Sequence, residues 1–306
     1  MQRINLSNRK SSCALLILSY ARPKLTERRL NESRKLSESG FDIFSSVDLF
    51  NGPESDQIQD EFRNLQEKYS EVRWIINEHR LGLAEHLRSR VSEILEDYRN
   101  VIIIEDDVAF STNSIIGIRD LQLSGLASGS LTVGLFGFLP NATPFRFPNN
   151  EWRKTKYFSA WGWAISREMW SLYDLNVVKK NGLKKIEKTP AWSNLNSHQK
   201  RRWSYRFSKV ESNPQLTWDF QMQYISWLHG LSNLLPLMRS CENEGFEDKM
   251  ATNTVGKKPR WYLGAATSNK FSTKVISTFD PRSILLERID SYSWIGDKRL
   301  SDIYKL

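Results

Sequence analysis

The chain has 306 residues, 40% hydrophobic and 26% charged, a balance that excludes a disordered chain and suits one large α/β domain, or one domain with a small appendage. Its 44 basic and 35 acidic residues leave a formal charge of +9, which draws anionic partners without choosing among nucleic acid, acidic lipid and phosphorylated substrates. The two cysteines, Cys13 and Cys241, match no zinc spacing or disulfide framework, and the longest apolar run, residues 14–18, is too short for a signal peptide or a membrane span. A soluble, cytoplasmic protein is therefore expected. Basic clusters such as Lys179-Lys180, Lys184-Lys185 and Lys200-Arg201-Arg202 read either as a solvated face or as a surface for anions, including the inner face of a membrane.

Residues 1–12 are polar and expected to be loose. Cys13–Ser19 is a continuous apolar run that predicts a buried strand. Arg22-Pro23 ends it, and 24–38 reads as a helix closed by Gly40. Strands are expected over 41–47, 72–76 and 101–104, and helices over 57–69 and 83–98. Farther on come a strand over 131–138 and a passage over 158–173 through the turn Trp161-Gly162-Trp163 into a helix. Residues 176–214 read as a basic, loop-rich insertion, 218–229 as a helix and 234–238 as a short strand, with no clear pattern after about 255.

Strands alternating with helices predict a mainly parallel sheet covered on both faces. Ligands in such sheets bind outside the carboxyl ends of the strands. Arg22 follows the first strand, Asp48 the second, and Glu105-Asp106-Asp107 the fourth, so these residues form a candidate site. Three adjacent acids repel one another unless solvent, hydrogen bonds or a cation compensates. A hard divalent cation suits them, because Mg²⁺ or Mn²⁺ binds through one or two carboxylates plus substrate phosphates. A solvated acidic turn is the plainer alternative.

Residues 101–108, VIIIEDDV, resemble the Asp-x-Asp-type motif of GT-A glycosyltransferases, most closely the Glu-Asp-Asp version of the N-acetylglucosaminyltransferase I family and its bacterial relatives. Residues 14–23 (ALLILSYARP) are similar to that family's opening strand and arginine, and 41–53 (FDIFSSVDLFNGP) to its second strand. Residues 160–170 (AWGWAISREMW) resemble a Gly-Trp-Gly-Trp-Ala segment, and 216–221 (LTWDFQ) a Trp-Asp-Tyr-Gln segment, followed by 244–254 (EGFEDKMATNT). The resemblance runs over residues 13–254.

It implies a GT-A fold, Rossmann-like with an irregular acceptor-side region. The nucleotide-binding half would be 13–140, the acceptor half 141–254, and 255–306 a C-terminal extension. It also implies inverting, hexosyl-type transfer from a nucleotide-diphosphate sugar to a glycan or lipid-linked glycan, as in polysaccharide biosynthesis. Asp107 corresponds to the acid that holds Mn²⁺ or Mg²⁺, while Glu105 and Asp106 would contact the donor's sugar or ribose. Arg22 would pair with the diphosphate and Asp48 would meet the nucleoside. Asp219 matches the catalytic base, and Trp218 would line the sugar pocket. Two departures stand out: the family's histidine is missing after Phe246, and 176–214 has no counterpart.

From the residues alone, Asp219 reads equally as an acid that stabilises a helix N-terminus. Two other functions compete. Basic residues interleaved with Trp203 and Tyr205 would suit a nucleic-acid-binding protein, although no binding module is visible and acids cluster at the strand ends, so nucleic acid is not the expected partner. A catalytically inactive glycan-binding relative is the other.

Overall fold

The computed structural model describes residues 13–139, 150–246, 248, 257–258, 260–263, 267–277 and 280–293. The stretch 1–12, expected to be loose, lies outside the described residues. The first half follows the expected alternation: β1 (Cys13–Ser19), α1 (Pro23–Glu38), β2 (Asp42–Val47), α2 (Ser55–Lys68), β3 (Arg73–Ile76), α3 (Leu83–Asp97) and β4 (Asn100–Glu105). Pro23 opens α1, where its missing N–H removes no helical bond, and Gly40 follows the helix at φ +83°.

The chain continues through β5 (Val108–Phe110), α4 (Thr112–Leu123), β6 (Ser130–Gly134), β7 (Asn150–Thr155), β8 (Trp163–Ser166) and α5 (Arg167–Trp170). Then come α6 (Val177–Ile186), α7 (Pro190–Ser193), α8 (Ser197–Ser212), α9 (Asp219–Leu228), β9 (Ser232–Pro236), β10 (Cys241–Asn243), α10 (Arg260–Leu263), β11 (Phe271–Ile276) and α11 (Pro281–Ser293).

Nine strands form one sheet in the order β11-β7-β9-β6-β8-β4-β1-β2-β3, and β10 pairs with β5 in a separate ribbon. The fold class is α/β, with a large, mostly parallel sheet flanked by helices: β1–β2, β1–β4, β2–β3, β6–β9 and β7–β11 run parallel. The exceptions are β8, antiparallel to β4 and β6, and the β7–β9 pair.

Side-chain alternation on the central strands divides the core. Leu15, Ile17, Ile102 and Ile104 pack with α1, α2 and α4 on one face. Leu16, Leu18, Val101 and Ile103 pack with α3 and the helices of 177–228 on the other.

Three expectations need correction. The aromatic turn does not lead directly into a helix: Gly162 (φ +70°) turns the chain, and Trp163–Ser166 is a strand before the single turn of α5. Residues 176–214 are mainly helical, because Trp203, Phe207 and Val210 recur at helical spacing and are all buried beneath the basic face of α8. The region after 255 is not featureless. Its β11 extends the sheet beside β7, and α11 buries Leu286 and Ile289. Arg153 on β7 joins Asp290 on α11 through a buried ion pair of 2.6 Å.

Candidate active site

Backbone hydrogen bonds beyond the strands draw the strand ends into one rim. Asp106 N–H donates to Leu18 C=O (2.9 Å), Asp48 N–H to Ser19 C=O (3.0 Å) and Asn77 N–H to Val47 C=O (3.1 Å). Arg22, Asp48 and the acidic triplet therefore meet at the carboxyl ends of β1, β2 and β4.

The Arg22 guanidinium bridges two members of the triplet. It contacts Asp106 Oδ1 closely through Nη2 and Asp107 Oδ2 at 3.1 Å through Nη1. The second oxygens, Asp106 Oδ2 and Asp107 Oδ1, are buried with no hydrogen-bond partner among the described residues. Burial pushes Glu105 up to about 8, reinforced by the charges of Asp107 and Asp106, opposed by Arg22 and raised further by Asp219. Burial also lifts Asp106 to about 7 against the pull of Arg22, and raises Asp107 against the same arginine. One guanidinium thus faces a crowded acidic group with two orphaned oxygens, an environment that a further positive charge would relieve. Among the described residues no three His, Cys, Asp or Glu side chains are grouped to hold a metal by themselves. A cation here would draw part of its oxygen shell from a substrate, as Mg²⁺ commonly does.

A strap that the sequence reading missed closes over Asp107. β10 pairs antiparallel with β5, placing Asn243 opposite Val108. Glu244 N–H then donates to Asp107 C=O (2.7 Å), and Gly245 N–H to Asn243 Oδ1 (2.9 Å). The Glu244 carboxylate is held by the buried Arg29 (3.0 Å) and by Arg28 (3.4 Å). The only sequence signal was Glu244-Gly245 at the start of the last resembling segment, most of which (247 and 249–254) lies outside the described residues.

Asp219 opens α9, where the helix dipole favours a carboxylate. Burial raises its pKa, while the Thr217 hydroxyl bond, the Arg206 charge and its own and Phe220's backbone N–H groups hold it down. Its charge reaches Glu105 and Tyr173. The fold therefore brings the base candidate and the triplet within electrostatic reach of each other, across 114 positions of sequence.

Asp48 turns inward. It is buried, and its carboxylate accepts from Asn77 Nδ2 (3.0 Å), Leu81 N (2.9 Å) and Gly82 N (2.8 Å), fixing the loop between β3 and α3. A cavity of about 200 Å³ beside it is lined by Tyr20, Phe50, Ile76, Asn77 and Glu78. Trp218 is 2% exposed and stacks on Trp163 at 5.2 Å, so its ring belongs to the core beneath Asp219 and offers no open face to a sugar. Trp192, Trp203 and Phe207 are buried as well, so of the aromatics interleaved with the basic residues here Tyr205 alone is exposed, among the described residues. Among the described residues no helix is long and apolar enough to cross a membrane.

No family model matches the chain, and no curated protein matches it. Among solved structures it is similar to a mannosyltransferase from Pyrobaculum calidifontis in complex with GDP-Man and Mn²⁺, at 14% identity and TM-score 0.36 over 54% of this chain and 46% of that one. It is also similar to GalNAc-T7 with UDP, GalNAc and Mn²⁺, at 12% identity and TM-score 0.43 over 75% and 43%. S. aureus TarS aligns at 10% identity and TM-score 0.37 over 74% and 34%. The chain spans less than half the length of each of these proteins. Likenesses this weak leave the chemistry to the residues themselves.

Proposed function

We propose that the chain is a GT-A-type, metal-assisted glycosyltransferase of the kind the sequence resembles, moving a sugar from a nucleotide-diphosphate donor to a hydroxyl of a glycan or lipid-linked glycan. The observation that carries this reading is the pair of buried, unpartnered oxygens on Asp106 and Asp107, whose other oxygens bind Arg22 at the carboxyl ends of parallel strands. Asp107 would hold Mn²⁺ or Mg²⁺. When bound, the cation neutralises charge that develops on the departing diphosphate.

Arg22 uses two of its five N–H donors on the triplet, which leaves others for a diphosphate oxygen. Glu105 and Asp106 would contact the donor's sugar or ribose. Asp48 acts through the loop it fixes, and the adjoining cavity takes the nucleoside. Asp219 accepts the proton of the acceptor hydroxyl as that oxygen attacks the anomeric carbon. The bond from the anomeric carbon to phosphate breaks with its electrons on the phosphate oxygen, and this single displacement inverts the configuration. Burial raises the proton affinity of Asp219, which suits a base, while the bond from Thr217 and the Arg206 charge oppose that rise.

A thermal-shift screen of nucleotide sugars, with and without Mn²⁺, tests this reading, since a ligand specific for the native state raises its stability. Asp107→Ala should abolish the metal-dependent shift. Asp219→Asn should keep donor binding and lose transfer. Full turnover in the Asn variant removes Asp219 from the chemistry.

A further inference from the structure

We propose that Arg206 forms an anion subsite for the acceptor beside Asp219, so that the accepting molecule carries a phosphate or carboxylate group near its reacting hydroxyl. This rests on the reading of Asp219 as the base.

Helix α8 buries Trp203, Phe207 and Val210, and the next stripe around carries Arg202 and Arg206 one turn apart. Like charges at this spacing repel. The Arg206 guanidinium lies over the Trp203 ring at 4.6 Å and over the Phe220 ring at 5.3 Å, and Phe220 follows Asp219 directly. Among the described residues Arg206 makes no hydrogen bond and no ion pair, although it is half-buried. The other deeply placed arginines differ: Arg22 is paired with Asp106 and Asp107, Arg29 with Glu32 and Glu244, Arg153 with Asp290, and Arg239 with Glu242.

Two aromatic rings hold the guanidinium and leave its N–H donors for a planar or tetrahedral oxyanion. Burial, and then Arg202, push Arg206 down to about 10, while Asp219 draws it up; a bound oxyanion would offset both penalties. The Tyr173 hydroxyl, buried without a hydrogen-bond partner and sensitive to the Asp219 charge, is an unsatisfied donor on the Asp219 side. The donor's diphosphate has its own partner in Arg22. Arg206 instead comes from the helical region packed on the opposite face of the sheet from α1, which suits the acceptor.

The test is calorimetric titration of wild type, Arg206→Gln, Arg206→Lys and Arg22→Gln with four probes: methyl glucoside, glucose 6-phosphate, methyl glucuronide and inorganic pyrophosphate with Mn²⁺. Wild type should bind at least one of the two anionic sugars about tenfold more tightly than the neutral glucoside, the order expected of a charge-assisted bidentate contact. Which sugar gains tells phosphate from carboxylate. Arg206→Gln should erase the preference, Arg206→Lys should keep part of it, and Arg22→Gln should leave it intact. Should Arg206→Gln fail to fold, the graded loss in Arg206→Lys reads the same contact. Equal binding of neutral and anionic sugars by wild type overturns the subsite. So does a preference that survives in Arg206→Gln at full strength or is unchanged in Arg206→Lys. Loss of pyrophosphate binding in an Arg206 variant assigns the arginine to the donor and overturns it too. Failure of pyrophosphate to bind wild type speaks against the donor site alone, and so separates the two proposals.

Discussion

Gly245 lies so close to Asp107 that a Cβ at position 245 would stand 2.3 Å from Oδ2 of the aspartate and 3.1 Å from Oδ1 of Asn243. Neither neighbour can yield freely, since Asp107 is tied to Arg22 and Asn243 accepts from the Gly245 N–H. Glycine is required here for close approach rather than for an unusual backbone angle. Gly245→Ala should displace the Asp107 carboxylate and weaken Mn²⁺ binding about 10- to 100-fold, the range for groups that orient a metal ligand. Titration of Mn²⁺ by electron paramagnetic resonance in the presence of a nucleoside diphosphate checks this. Unchanged affinity would remove the strap from the metal site.

That contact also marks the limit of what the sequence discloses. The strands β1 and β4 are legible as apolar runs and β2 as a short segment around Ile43, Phe44 and Val47, each reaching a charged residue at its end or within three positions beyond it, and the rim follows from parallel order. The contact between residues 107 and 245 is not legible, since it depends on β10 pairing with β5, two strands of three residues each. Helix α8 was hidden for another reason: Trp203, Phe207 and Val210 keep helical spacing, but Lys200, Arg201, Arg202 and Arg206 dominate its composition. The strand at Trp163–Ser166 was hidden by the aromatic turn that precedes it.

The acidic triplet predicts a pH dependence whose sign follows from burial. Glu105 is raised from 4.5 to about 8 and Asp106 from 3.8 to about 7. In each, the folded protein binds its proton more tightly than the unfolded chain does, so the stabilising contribution is complete below the unfolded value and is lost as pH rises through the folded one. Metal-free protein should therefore lose stability from about pH 5 to about pH 8, and Glu105→Gln should flatten that slope. A cation held at Asp107 would lower the proton affinity of both neighbours by its charge, so its stabilising shift should grow across the same window. Calorimetric melting at stepped pH, with and without Mn²⁺, measures both. A metal-independent slope would detach the triplet from the cation.

The pair between Arg153 and Asp290 makes the end of the described chain part of the sheet's support. Both side chains are nearly inaccessible, at 3% and 2% exposure, so removing one partner leaves the other charge buried. Asp290→Ala should cost about 3 kcal/mol, the lower end for breaking a buried ion pair. The midpoint of urea unfolding reports it. A change below about 1 kcal/mol, the scale of an exposed pair, would make α11 an appendage after all.

Trp218 separates a core role from a binding role. Its ring stacks on Trp163 and meets Phe158 edge-on at 5.7 Å, directly behind the residue that would take the acceptor's proton. Trp218→Phe keeps an aromatic ring but leaves a gap, and should cost about 1–2 kcal/mol, in line with partial loss of a buried aromatic. Because the ring has no open face, the substitution should leave the KM for the donor unchanged and lower kcat only as far as Asp219 shifts. A variant of undiminished stability with a raised donor KM would return Trp218 to the sugar pocket. Urea unfolding and steady-state kinetics on one preparation distinguish the two, since a core ring acts on stability first and a pocket wall acts on substrate.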